Sequence, residues 1–299
     1  MKILDVLNAP WAIIPERLNE IQEIYFTHLR GEKIDIKLIE AQTGKKLQNE
    51  EQGYELQGNV AIIPIEGVIA KRMNLFSRIS GGASSQLIER DLRQALADPE
   101  VKSIIFLIDS PGGTVDGTQE LASFIYSVRG QKPTITYTDG SMASAAYWIG
   151  SAADRLYISG DTNQIGSIGV VAQHVDYSKA DDQRGIRVTE ITAGKYKRIA
   201  SENMPLTQEG RAVIQEQLDD IYTAFVNDVA RNRKTTPDDV LNGMADGRIF
   251  LGKKAVSAGL VDGVSILTDL IDNLNQKGTP QYTRAVMERK IRENDHAIS

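Results

Sequence analysis

The segment Val101–Ile108 is apolar at nearly every position and is closed by Asp109-Ser110-Pro111-Gly112-Gly113. A short run of this kind reads as a strand buried on both faces, as in parallel sheets covered by helices, followed by a tight turn. Such a strand needs helices around it, and the flanking sequence supplies them. Ser84–Ala97 carries Leu87, Ile88, Leu92, Ala95 and Leu96 at helical spacing, and Asp98-Pro99 stops it. Thr114–Val128 reads as the helix that follows the turn.

The same alternation extends in both directions. Val60–Ile65 and Val68–Ala70 read as buried strand, with Pro64 marking an edge or a bend. Thr134–Thr138 is a strand and Ala143–Ala152 a helix. Leu156–Ile158 and Val170–Ala172 are short strands around the turn Gly166-Ser167-Ile168-Gly169. Val188–Ile191 reads as a strand leading into Gly194-Lys195-Tyr196-Lys197, and Glu209–Asn232 as a long helix. Strands alternating with helices imply an α/β fold of parallel units. Residues 1–55 read as an N-terminal arm, mostly helical, with Pro15–Leu29 at helical spacing and a polar loop over Thr43–Gln52. Residues 56–272 form the main domain, and the polar residues 273–299 a tail or linker.

Composition removes several kinds of chemistry. There is no cysteine, so disulfides, thiolate metal sites and cysteine nucleophiles are absent. His28, His174 and His296 show no metal-ligand spacing, so neither a metal nor another cofactor is expected. A Ser-His-Asp triad would have to rest on His174. The net charge of −6, without a dense basic stripe, argues against a nucleic-acid partner. No apolar run reaches membrane-spanning length, and Met1–Leu7 is broken by Asp5 and followed by Pro10. The expectation is a cytoplasmic protein.

Three stretches carry candidate chemistry. Asp139-Gly140-Ser141-Met142-Ala143-Ser144-Ala145-Ala146 joins a turn to an apolar helical run, which exposes the Ser144 hydroxyl and the Ala145 amide at a helix start. A plain N-cap serine fits the same residues, Ser141 being the better cap. Ser110-Pro111-Gly112-Gly113 can leave amides pointing outward, Gly113 first among them, although ordinary strand-to-helix turns use glycine for the same reason. Lys197 is the candidate base. A lysine takes that role only when it is moved out of water and away from carboxylates, falling from about 10.4 toward ~7 at roughly 4 to 5 kcal/mol. A solvated loop lysine fits the same position.

Taken together these stretches resemble a known family. Ser-Pro-Gly-Gly at 110–113, Ala-Ser-Ala-Ala-Tyr-Trp at 143–148, Gly-Ser-Ile-Gly-Val at 166–170 and Gly-Lys-Tyr-Lys at 194–197 occur in the order seen in signal peptide peptidase A-like serine peptidases, within the Clp protease/crotonase superfamily. Gly247-Arg248-Ile249-Phe250 and Gly259-Leu260-Val261-Asp262 resemble that family's C-terminal signature, so the likeness runs from about Val60 to Asp262. The resemblance implies a core of repeated ββα units and a Ser/Lys dyad. Ser144 takes the place of the nucleophile, Lys197 of the base and Ser167 of the lysine-orienting serine, while Gly113 and Ala145 take those of the oxyanion donors. Where the family has Gly-Gly after the nucleophile this chain has Ala145-Ala146, which narrows the floor of the site. Lys195 competes for the role of base but fits the spacing less well.

The stretch Asn8-Ala9-Pro10-Trp11-Ala12-Ile13-Ile14-Pro15 resembles phage and prophage members, which are head maturation proteases. This implies a serine endopeptidase acting on scaffold and capsid proteins in the host cytoplasm or prohead, and a homo-oligomer. The alternatives are a cytosolic enzyme degrading peptide remnants, a crotonase-like acyl-CoA enzyme that has no need of Ser144, and a catalytically dead scaffold protein.

Overall fold

The computed structural model describes residues 10–19, 53–72 and 82–276. Its centre is a parallel sheet of β3 (Val60–Glu66), β6 (Ser103–Asp109), β8 (Thr134–Thr138), β10 (Arg155–Ile158) and β13 (Gly263–Val264). The strand β2 (Glu55–Gln57) is added antiparallel on β3. The alternation of side chains explains why these strands are apolar throughout. Ala61, Ile63, Ile65, Ile104, Phe106 and Ile108 enter the main core, whereas Val60, Ile62 and Ile105 enter a second core with Leu270, Ile271 and Leu274. Pro64 pairs with Leu107 on one side, and β2 reaches only Val60–Ile62 on the other. The proline therefore lies where that side of β3 has no strand neighbour among the described residues, and its missing N–H costs no ladder bond there.

Each long strand is followed by a short strand in a second layer and then by a helix. After β3 come β4 (Val68–Ala70), β5 (Gly82–Ser84) and α1 (Ser85–Ala97). After β6 come β7 (Gly112–Thr114) and α2 (Thr118–Ser127), and after β8 come β9 (Ser141–Ala143) and α3 (Ala145–Gly150). This is the repeated ββα architecture implied by the family resemblance. A fourth pair, β10 and β11 (Gln164–Gly166), departs from it: a long irregular segment holding only α4 (Ser178–Gln183) separates β11 from α5 (Gln208–Arg233). The chain closes with α6 (Pro237–Gly243), β12 (Ile249–Leu251), α7 (Lys253–Ser257) and α8 (Leu267–Asn275). Asn275 pins that last helix to the sheet, accepting from the Asn59 amide at 2.8 Å and donating to the Gln57 carbonyl at 3.2 Å.

The helix ends follow local chemistry. Ser84 caps α1 by accepting from the Leu87 amide, and Thr236 and Asp239 form a reciprocal capping box ahead of α6 with Pro237 in its first turn. Several boundaries differ from the sequence reading. The helix expected from Thr114 begins at Thr118 because Gly112–Thr114 is drawn into a strand, and the helix expected from Ala143 begins at Ala145. Val188–Ile191 is not a strand: its β-branched residues favour one, but no ladder partner reaches them among the described residues and Ile191 is 93% exposed. Of Val170–Ala172, only Val171 forms a β-bridge.

In the expected, mostly helical arm, β1 (Trp11–Ile13) is a strand that the sequence reading did not name, and it precedes a helical stretch at residues 15–19 that agrees with the start of Pro15–Leu29. The remainder of Pro15–Leu29, the loop over Thr43–Gln52 and residues 277–299 of the expected tail lie outside the described residues. Among the described residues no helix is long and apolar enough to cross a membrane.

Candidate active site

Ser144 stands between β9 and α3, at φ 54° and ψ −119°. A non-glycine residue in this region costs about 1–3 kcal/mol and persists only where its surroundings enforce it. Here both neighbours are fixed. The short strand β9 pairs with β11, Ser144 N donates to the Gly166 carbonyl at 2.7 Å, and Trp148 N closes the first helical turn on the Ser144 carbonyl at 2.9 Å. The hydroxyl faces the Gly169 carbonyl at 3.4 Å.

The helix behind Ser144 is strongly anchored. The Trp148 indole stacks on Phe225 of α5 and donates to the Asp228 carboxylate at 2.9 Å. The Tyr147 hydroxyl donates to the Leu260 carbonyl at 2.8 Å, and burial pushes its pKa well up. Ala145 and Ala146 are both fully buried, so the extra methyls relative to Gly-Gly are packed rather than left in the open site. Ala145 opens the helix, and its amide therefore has no intrahelical partner.

The turn after β6 lies against this serine. Gly112 has φ 108°, and a Cβ placed on it would sit 3.0 Å from Ser144 Cβ and 2.3 Å from the Ala12 carbonyl oxygen. Only glycine permits this approach. The Gly112 amide is turned to Ser110 Oγ at 3.2 Å, which leaves the Gly113 amide as the one facing β1. Gly113 is confined too, since a Cβ there would collide with the Ile69 carbonyl. Sequence reasoning singled out Gly113 and passed over Gly112, although both stand in the same motif.

Ser167 also has a positive φ, 52°, and its amide donates to the Arg248 carbonyl at 2.7 Å. Its hydroxyl makes no hydrogen bond to another described residue. The structure thus brings Ser144, Gly113, Ala145 and the Gly166–Gly169 turn bearing Ser167 to one place. Lys197 is not part of this group: it is exposed, and its ammonium makes no hydrogen bond or ion pair among the described residues. Lys195 is committed elsewhere, paired with Glu209 at 2.5 Å, and its hydrogen bond to Glu209 holds its pKa above the usual lysine value. The His174 ring lies 2.9 Å from the Ser201 carbonyl, within the lysine segment, and no contact links it to Ser144.

The lysine segment has its own organiser. Glu190 accepts from Arg198, Ser201 and Asn203, with Arg198 Nη2 at 2.6 Å, and these bonds, Arg198 foremost, pull its carboxyl down to about 2. Around this clamp the segment exposes apolar side chains, Ile191 and Tyr196 among them.

Residues 127–279 match the profile of Peptidase family S49. Over 251 residues the chain is 30% identical to head-tail preconnector protein GP5 of Enterobacteria phage P21, an alignment covering 82% of this chain and 50% of that protein. It is 29% identical over 220 residues to capsid assembly protease C of Escherichia phage lambda, covering 74% and 49%. With serine protease SPPA of the Arabidopsis thaliana chloroplast it shares 30% over 229 residues, covering 76% and 33%. The chain spans about half the length of the phage relatives it matches.

Proposed function

This chain belongs to peptidase family S49, and we propose that it is a serine endopeptidase in which Ser144 and Lys197 form the catalytic dyad and whose substrates are the scaffold and capsid proteins of a phage prohead. The catalytic part rests above all on the backbone at Ser144, a strained serine between strand and helix with Gly112 against its side chain. In this reading neutral Lys197 takes the Ser144 proton and Oγ attacks the scissile carbonyl. The Gly113 and Ala145 amides hold the oxyanion, and the proton passes to the leaving amine. Water then releases the acyl group by the same steps. The free hydroxyl of Ser167 orients the lysine.

Lys197 completes the site by packing into an oligomer. Its segment exposes Ile191 and Tyr196 to solvent, a surface that another subunit would cover, and covering it would supply the dry surroundings that a neutral lysine needs. The substrate assignment draws on the phage relatives, one of them named a capsid assembly protease. The similarity to serine protease SPPA supports the second reading, a peptidase that degrades peptide remnants. The discriminating experiment incubates the purified chain, and its Ser144→Ala variant, with the scaffold and capsid proteins encoded beside it and with short peptides. Serine-dependent cleavage of the structural proteins at defined bonds is expected. Cleavage of short peptides alone would leave the remnant-degrading enzyme in its place.

A further inference from the structure

The segment Pro10–Ile14 lies in the cleft above Ser144 as an extended strand. On one side β1 pairs antiparallel with β7, placing Trp11 opposite Thr114, Ala12 opposite Gly113 and Ile13 opposite Gly112. On the other side Trp11 and Val171 exchange both backbone hydrogen bonds, each at 2.8 Å. Val171 lies two residues beyond Gly169, the residue whose carbonyl faces the Ser144 hydroxyl. The strand therefore bridges the two walls of the site.

The register fixes which carbonyl faces the chemistry. Ile14 N donates to the Pro111 carbonyl at 3.1 Å, and Val115 N to the Pro10 carbonyl at 3.5 Å. Antiparallel ladders alternate hydrogen-bonded and non-bonded pairs. Ala12 and Gly113 are therefore the bonded pair between those two, and the Gly113 amide donates to the Ala12 carbonyl. That carbonyl oxygen and Ser144 Cβ both lie within 3.0 Å of the point a Gly112 Cβ would occupy. The arrangement is that of a peptide carbonyl set against an oxyanion donor beside the nucleophile, with a small residue at the position attacked. Trp11 and Ile13, packed with Leu18, Val68 and Val171, lock the strand down, and beneath it Ser144 has no exposed surface.

We propose that Pro10–Ile14 is a built-in occupant of the substrate cleft, which keeps the peptidase closed until the strand is displaced. The proposal rests on the peptidase reading with Ser144 as nucleophile. It also defines the substrate class as an extended segment with a small residue in the place of Ala12 and apolar residues on either side. An incoming segment competes for the same β7 edge, so occupancy by β1 lowers apparent affinity in proportion to the fraction of closed molecules.

The test uses the full chain. Trp11→Ala with Ile13→Ala weakens the packing of β1, and Ala12→Pro removes its amide from the ladder. Labelling of Ser144 by a fluorophosphonate should be about tenfold faster or more in both variants than in wild type. A synthetic peptide of residues 8–16 should slow labelling of the double variant, and the same peptide with Ala12→Arg should not. Equal or slower labelling in both variants, with the peptide inert on wild type and double variant alike, overturns the proposal and leaves the peptidase reading standing. Should these variants fail to fold, the milder pair Trp11→Phe with Ile13→Val decides by the same labelling rate: faster than wild type supports the proposal, equal or slower overturns it. No labelling in any form, wild type included, removes the peptidase reading and the proposal with it.

Discussion

Trp148 and Phe225 stack with ring centroids 4.3 Å apart and planes 6° from parallel, joining the helix that begins at Ser144 to the long helix α5. Both rings are almost fully buried in the main core. The turn bearing Ser144 is thus held from behind by this stacked pair.

Phe225→Ala is expected to cost about 3–5 kcal/mol of stability, the usual range for removing a buried aromatic ring. Trp148 keeps its bond to Asp228 but loses its stacking face, so the loss should extend to the site. Urea unfolding gives the first quantity and the labelling rate of Ser144 the second. A stability loss below about 1 kcal/mol would mean that α3 is held by other contacts.

The two serines of the Ser141–Ser144 stretch should separate cleanly. Ser144→Ala should lower peptide hydrolysis at least about a thousandfold while the protein stays folded. Ser141 Oγ is buried with no hydrogen-bond partner, so Ser141→Ala should retain activity and leave stability unchanged or raise it by up to about 1 kcal/mol. Residual activity within tenfold of wild type in Ser144→Ala would remove it as nucleophile.

The two lysines should separate as well. Lys197→Ala and Lys197→Arg are both expected to be inactive, since an arginine holds its proton at any working pH. Lys195→Ala should keep its activity, because Lys195 is tied to Glu209 at the surface. If the dyad is shared between neighbours, Ser144→Ala and Lys197→Ala chains refolded together should recover up to about a quarter of wild-type activity, the share of interfaces that join an intact serine to an intact lysine. Mixed oligomers with no activity would place the whole dyad within one chain.

Glu190 sets an acid limit on the lysine segment. Its carboxyl is depressed from the ordinary 4.5 to about 2. A depressed acid contributes its stabilisation above the unfolded value and loses it as pH falls through the folded one. The clamp on Arg198, Ser201 and Asn203 should therefore be intact above about pH 4.5 and erode between there and about 2. Hydrogen exchange of the amides at 190–203, followed from pH 6 downward, should show this loosening. Glu190→Gln should show it already at pH 6. A segment equally protected at pH 6 and pH 3 would exclude the clamp.

Much of the central sheet was legible because its strands are buried on both faces, which leaves continuous apolar runs at Val60–Ile65 and Ile104–Ile108. The motif residues of the site could be named only jointly: a serine at a helix start also serves as a cap and paired glycines serve ordinary turns, and it is the order of the four motifs along the chain, as in the family they resemble, that singles them out. The left-handed backbone of Ser144 and Ser167 could not be seen. Serine does not announce a positive φ as glycine does, and the conformation is enforced by remote carbonyls, Gly166 for one and Arg248 for the other. The strand at Trp11–Ile13 was hidden between Pro10 and Pro15, too short for a period to show, with partners a hundred residues away. Val188–Ile191 misled in the opposite direction, having a strand's side chains and no neighbouring ladder.

The two left-handed serines also bear on how such a chain can change over generations. A glycine at 144 or 167 would hold the same backbone with less strain, so each serine keeps the fold below the stability it could reach. Under the proposed dyad, glycine at either position would remove a hydroxyl that the chemistry uses, and activity is what weighs against the exchange. In a copy whose peptidase activity no longer matters, exchange for glycine at these positions becomes an improvement rather than an injury. Decay of the lineage should begin there, with the core around Trp148 and Phe225 still intact.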